Sequence, residues 1–191
     1  FKISMSKEWH GSITQDRTSA VTGHLGRRAH MAPVTIRLNG NGANQYRMQV
    51  VNDRYLAPIL VQMAVFSAID ATERAAGAST FTIRTRLEFE DQLPAVAMEN
   101  VYTGDTLVPQ IAALGIASPL SYALNAGFDS VKLKAVTVDI DSANTKRQMQ
   151  VDQVWTSRTT VHPGDSLDIY TLLAGENGAE TTRKVTYQVP V

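Results

Sequence analysis

Residues 33–38 alternate, with Val34, Ile36 and Leu38 on one side of an extended chain and Thr35 and Arg37 on the other. A period of two marks a strand with one apolar face. Asn39-Gly40-Asn41-Gly42 follows, and both residue types tolerate the positive φ of a tight turn. Residues 46–51 return, so 33–51 read as a hairpin. The period then lengthens. Leu56, Ile59, Leu60, Met63, Phe66 and Ile69 recur at spacings of three and four, which predicts a helix with one apolar stripe. Asp53 is placed to cap it, Pro58 is tolerated in its first turn, and Gly77 is the expected left-handed stop.

Alternation resumes at Phe81, Ile83, Leu87 and Phe89, opposed by Thr82, Arg84, Arg86 and Glu88. This is a strand with one wet face, and residues 95–102 are its expected partner. Gly104-Asp105-Thr106 opens a second helical stretch. Ser118-Pro119 has the form of an N-cap followed by a first-position proline, so a kinked or broken pair of helices is expected before Gly127. In 131–140 the apolar parity switches: Val131, Leu133 and Ala135 are odd, Val136, Val138 and Ile140 even. Such a switch is how a β-bulge looks in sequence. Further strands are predicted near 147–155, 166–174 and 182–189. Their turns are Ser142-Ala143-Asn144, His162-Pro163-Gly164-Asp165 and Glu176-Asn177-Gly178. The N-terminal stretch reads as strand at 11–15, turn at 16–19 and a glycine-bracketed segment at 23–26.

The expected fold is therefore α+β: antiparallel hairpins with two helical segments in residues 1–127, then a β-sandwich-like, immunoglobulin-like module in 128–191 packed on the first part. The last strand carries charge only at its start and reads as covered by the rest of the chain or by a partner.

Composition narrows the function. With 191 residues, 43% of them hydrophobic, the chain is long enough for a packed core. Eighteen basic and 18 acidic residues cancel, so no overall field attracts nucleic acid. No cysteine is present, which removes disulfides and thiolate chemistry. The uncharged run 107–124 approaches the roughly 20 residues of a membrane span, but its prolines and glycine favour buried helices. The chain opens at Phe1 in strand-like sequence, which reads as a fragment or processed product.

Candidate chemistry is sparse. His10, His24, His30 and His162 show no metal-pair spacing and read as surface or turn residues. No Gly-x-Ser-x-Gly elbow frames Ser12 or Ser19. Asp139 and Asp141 share a strand face and could hold calcium; a solvated outer face is the simpler reading. Glu88, Glu90 and Asp91 form a second small acidic group. Trp9, Tyr102, Trp155 and Tyr170 are scattered and suit packing. No catalytic, cofactor-binding or metal-binding residue and no cofactor is assigned.

One stretch resembles a known family. Gly11-Ser12-Ile13-Thr14-Gln15-Asp16-Arg17, Gly23-His24-Leu25-Gly26 and Met31-Ala32-Pro33-Val34 resemble the later part of bacterial serine-peptidase-like proteins of the sporulation factor IV B type. Leu56-Ala57-Pro58-Ile59, Ala71-Thr72-Glu73-Arg74, Gly104-Asp105 and Pro163-Gly164-Asp165 follow in the same order. Ala20 stands where the motif usually has glycine. The family's Gly-Met-Ser-Gly-Ser-Pro serine loop is absent, and Gly23-His24 falls at a variable position, so no catalytic role is carried onto it. The resemblance implies a non-catalytic accessory region downstream of a peptidase active site. It further implies an extracytoplasmic setting, with a protein partner or an upstream domain of the same parent in contact. The alternative is an independent serine hydrolase using His10 or His24, Asp16 and a nearby serine.

Overall fold

The computed structural model describes residues 8, 10–40, 43–72, 77–127, 131–176 and 178–191. Two hairpin–helix units flank one central strand. The first is β3 (Met31–Asn39), β4 (Asn44–Val51) and α1 (Leu56–Thr72); the second is β5 (Ser79–Phe89), β6 (Val96–Gly104) and α2 (Val108–Asn125). Between them lies β7 (Leu133–Ala143), giving the sheet order β4-β3-β7-β5-β6. β7 runs parallel to β3 and antiparallel to β5. With β1 (Gly11–Arg17), β2 (Ala20–Leu25), β8 (Met149–Thr156), β9 (Ser166–Gly175) and β10 (Glu180–Gln188), the fold is α+β, as its alternating strands and two helical stretches predict.

The place of β7 departs from the expected division at 127. It belongs to the first part, where Val136, Val138 and Ile140 fill the middle of the core. Local pattern cannot reveal this, because a central strand reads the same whichever sheet it joins. The parity switch is real. Glu88 pairs with Ala135 and Phe89 with Leu133, so Lys134 is the extra residue of a bulge. The bulge returns Leu133 to the buried side with Val136.

The core lies between this sheet and the two helices. Ile36, Leu38, Ile83, Leu87, Val138 and Ile140 face the helices and are buried. Asp53 caps α1 as expected, its Oδ1 accepting from the N–H groups of Tyr55 and Leu56 at 2.9 Å each. The face α1 buries overlaps the predicted stripe only in part, at Ile69 and at the half-buried Leu60 and Phe66. Ala57, Val61, Val65, Ala68 and Ile69 go inward, while Leu56, Ile59 and Met63 are exposed. α1 is apolar all round, so periodicity cannot choose its inner side; the bulky sheet face favours small side chains against it.

α2 is one helix, not two. Pro119 lies inside it, and Ala112, Ile116, Leu120 and Leu124 are buried on both sides of the proline. Packing along the whole length offsets the hydrogen bond that proline cannot make. The helices run antiparallel, since Asn125 at the end of α2 donates to the carbonyl of Arg54 before α1. The glycine turn at 41–42 and the helix end at 73–76 lie outside the described residues; Gly77 itself has φ 111°.

The expected sandwich-like tail is, among the described residues, a single sheet of order β10-β9-β8. It makes its contacts almost wholly within itself, as does the β1–β2 hairpin. Its ties to the body run through the segment before β8. Thr80 is buried; its hydroxyl donates to Thr145 O at 2.7 Å and accepts from Arg147 N–H at 3.1 Å. Lys146 bridges Asp105 at 3.2 Å and also pairs with Glu176. These two carboxylates raise its pKa, the Glu176 hydrogen bond foremost. β10 is an edge strand that, among the described residues, no other segment of this chain covers.

Candidate protein-interaction surfaces

The residues proposed for hydrolysis come together only in part. Ser12 and His24 are direct cross-strand partners in the β1–β2 hairpin, and Asp16 pairs with Val21. No side-chain hydrogen bond joins Ser12 to His24 among the described residues, and His24 is exposed to water. Ser12 also lines an open cleft of about 540 Å³ with Ile13, Arg27, Arg28, His30 and Leu56; His24 does not. His10 lies 3.6 Å from Glu8, and its carbonyl accepts from Gly26 N–H to close the hairpin. His30 meets Glu90 at 3.2 Å and the Asn52 amide at 3.2 Å. His162 sits in the Gly164 turn beside Asp165. The four histidines thus serve four separate local structures.

The acidic pair lies on the open face of the main sheet. Asp139 accepts from Arg37 at 2.9 Å; Asp141 accepts from Arg84 at 2.6 Å and from Asn39 at 3.0 Å. The Asn39 amide and then Arg84 hold the Asp141 carboxyl below the usual carboxylate range. Asp141 in turn raises Arg84, through their hydrogen bond first. Arg86 similarly lowers Glu88. The oxygens a calcium ion would need are thus committed to guanidinium and amide donors. The face is a neutral ladder of charges in water, where each pair contributes little.

Three other surfaces are apolar and bare. The first is the outer side of the helix layer. Leu56, Ile59 and Met63 of α1 and Ile111, Leu114 and Tyr122 of α2 stand in solvent, flanked by Tyr55 and Leu107. Met63 is 60% exposed and Tyr122 77%. A helix covering a sheet normally turns charge outward, and these do not.

The second is one face of the tail sheet. Strand register puts Val151 with Leu173, Thr156 with Ile169 and Val185, and Leu167 with Tyr187 on one side. A register shift at Asp152 brings Val154 onto the same side, opposite Thr171 and Arg183. The other side is polar: Asp168 pairs with Lys184 at 3.3 Å and accepts from Thr186 at 2.7 Å. Those contacts, Thr186 first, hold the Asp168 carboxyl low. Trp155 and Tyr170 stack there with centroids 5.6 Å apart. The sequence shows these rings fifteen positions apart, and only the β8–β9 pairing joins them. No residue of β8, β9 or β10 is buried. An antiparallel sheet usually packs one face on a core, and this one has an apolar face with nothing on it.

The third is the hairpin, where Ile13, Val21 and Leu25 are exposed. Two strands alone are marginal in water. Among the described residues no helix is long and apolar enough to cross a membrane. Compared with known families, curated proteins and solved structures, the chain matches none.

Proposed function

We propose that this chain is a non-catalytic scaffolding and protein-binding region of an extracytoplasmic peptidase-family protein of the sporulation factor IV B type. The observation that carries the binding role is the tail sheet, whose apolar face is formed but uncovered. A protein partner, or an upstream domain of the same parent, supplies the missing layer. The family reading rests on the sequence resemblance. Its motifs fall on structural positions here: Gly26 and Gly164 have positive φ at turns, Leu56-Ala57-Pro58 opens α1, and Gly104-Asp105 leads into α2. Residues needed for turns and helix starts are those a non-catalytic region would retain.

A second reading is favoured by one observation, the pairing of Ser12 with His24. A serine hydrolase built there would place the base within about 3 Å of the hydroxyl. Treatment with a fluorophosphonate probe and with casein separates the two readings. The scaffolding reading expects no labelling and no cleavage. Stoichiometric labelling of Ser12, abolished by His24→Ala, would overturn it in favour of the hydrolase.

A further inference from the structure

We propose that the outer face of the α1–α2 layer is a homodimer interface, on which two copies of this chain stack about a two-fold axis. The inference stands on the helices alone and does not rest on the peptidase-family reading.

Spacing points to the kind of partner. Leu56, Ile59 and Met63 of α1 follow one another at intervals of three and four; Ile111 and Leu114 of α2 are three apart, with Leu107 four before Ile111 at the helix start. Half of the stripe read in the sequence, Leu56, Ile59 and Met63, faces outward, while Leu60, Phe66 and Ile69 turn to the core. That alternation is the narrow seam by which one helix packs on another, whereas a helix lying on a sheet buries a broader face. The broad faces of α1 and α2 are already used, by Ala57, Val61 and Val65 and by Ala112, Ile116 and Leu120. What remains outside is a second, coiled-coil-like seam on each helix. It calls for more helices.

Symmetry makes a second copy the fitting source. Because α1 and α2 are antiparallel, a two-fold axis along them sets α1 of one copy on α2 of the other. Every neighbour is then antiparallel, as in an up-down four-helix bundle. Charge permits this. A two-fold contact sets each surface against itself, so like charges would repel. Over both helices the only charged side chain is Asp70, in the last turn of α1. The face is broad enough to compare with the roughly 800 Å² per partner of a standard interface: six large apolar side chains, Leu56, Ile59, Met63, Ile111, Leu114 and Tyr122, are each more than half exposed. A lipid surface fits less well, since helices that lie on membranes carry Lys or Arg on their polar face and these carry neither.

The test is the mass of the chain in solution. Analytical ultracentrifugation at tens of micromolar should give twice the chain's 20.8 kDa. Ile59→Glu and Leu114→Glu should each raise the dimer dissociation constant at least about tenfold, because each buries an unpaired carboxylate against the other copy. Circular dichroism should be unchanged, since both positions are exposed in the single chain. Should either variant misfold, Met63→Cys carrying a nitroxide label gives a second measurement, as the chain has no other cysteine. Dipolar coupling between copies is expected. A monomer at about 100 µM, a dimer indifferent to both glutamates, or no coupling from position 63 overturns the proposal; a monomer would leave the face to another helical partner.

Discussion

Asn52 stands in for a strand beside Leu133. Its Oδ1 accepts from Leu133 N–H at 3.1 Å, and its Nδ2 donates to Leu133 O at 2.7 Å. The amide thereby satisfies both backbone groups of a buried residue where β7 begins, just beyond the last pairing of β3 with β7 at Val34 and Val136. Replacing Asn52 with Leu should cost roughly 1–3 kcal/mol, the usual penalty for buried polar groups left without partners. Asn52→Asp should cost more than Asn52→Ser, because it sets a carboxylate oxygen against the Leu133 carbonyl. Urea unfolding measures both, and equal costs for Asp and Ser would sink the clamp.

Gly115 and Tyr102 are coupled by space. A Cβ on Gly115 would overlap the Tyr102 hydroxyl and crowd its ring, whose burial raises the phenol pKa. Gly→Ala inside a helix ordinarily gains up to about 1 kcal/mol. Here Gly115→Ala should gain nothing or lose, since the tyrosine must move. In a Tyr102→Ala background the gain should reappear. The double-mutant cycle reads the difference as a coupling energy, and additivity would show that the ring gives way freely.

Thr80 ties the tail to the body. Thr80→Val keeps shape but removes the hydroxyl shared by Thr103, Thr145 and Arg147. Stability should fall by about 1–3 kcal/mol. The local signature is faster hydrogen exchange at Arg147 N–H. Thr103 Oγ1 also accepts from that amide, at 3.2 Å, so Thr80→Val/Thr103→Val should speed it further. Unchanged exchange in the double variant would mean that other contacts hold the linker.

The Asp141 cluster predicts an acid-dependent loss. Asn39 and Arg84 hold this carboxyl below its unfolded value. A group whose pKa is depressed by folding adds stability above its unfolded pKa and loses it as pH falls through the folded one. The window therefore opens near pH 4 and extends below it. Glu88 and Asp168 shift the same way. Thermal melts of the wild type and Asp141→Asn should differ at pH 7 and converge toward pH 3. The effect is small, since the side chain is 42% exposed. A gap that stays constant across this range would rule the carboxylate out as its source.

Features that depend on neighbours along the chain are legible in the residue order. Strand alternation, the Asp53 cap, the Gly164 turn and the Lys134 bulge are local, because backbone sterics and hydrogen bonds reach only a few residues. Features that depend on distant partners follow from tertiary packing. It put β7 between β3 and β5, where its apolar residues complete a sheet that two hairpins alone cannot close. It kept α2 whole through Pro119, because packing before and after the proline outweighs one lost hydrogen bond. It brought Trp155 to Tyr170 and Ser12 opposite His24 through strand register. It also chose the buried side of α1. A helix apolar on every side has no preferred inner face until a sheet is present, and small Ala and Val side chains approach that sheet most closely. Half of the stripe legible in the sequence, Leu56, Ile59 and Met63, was left outside, while Ile69 went in.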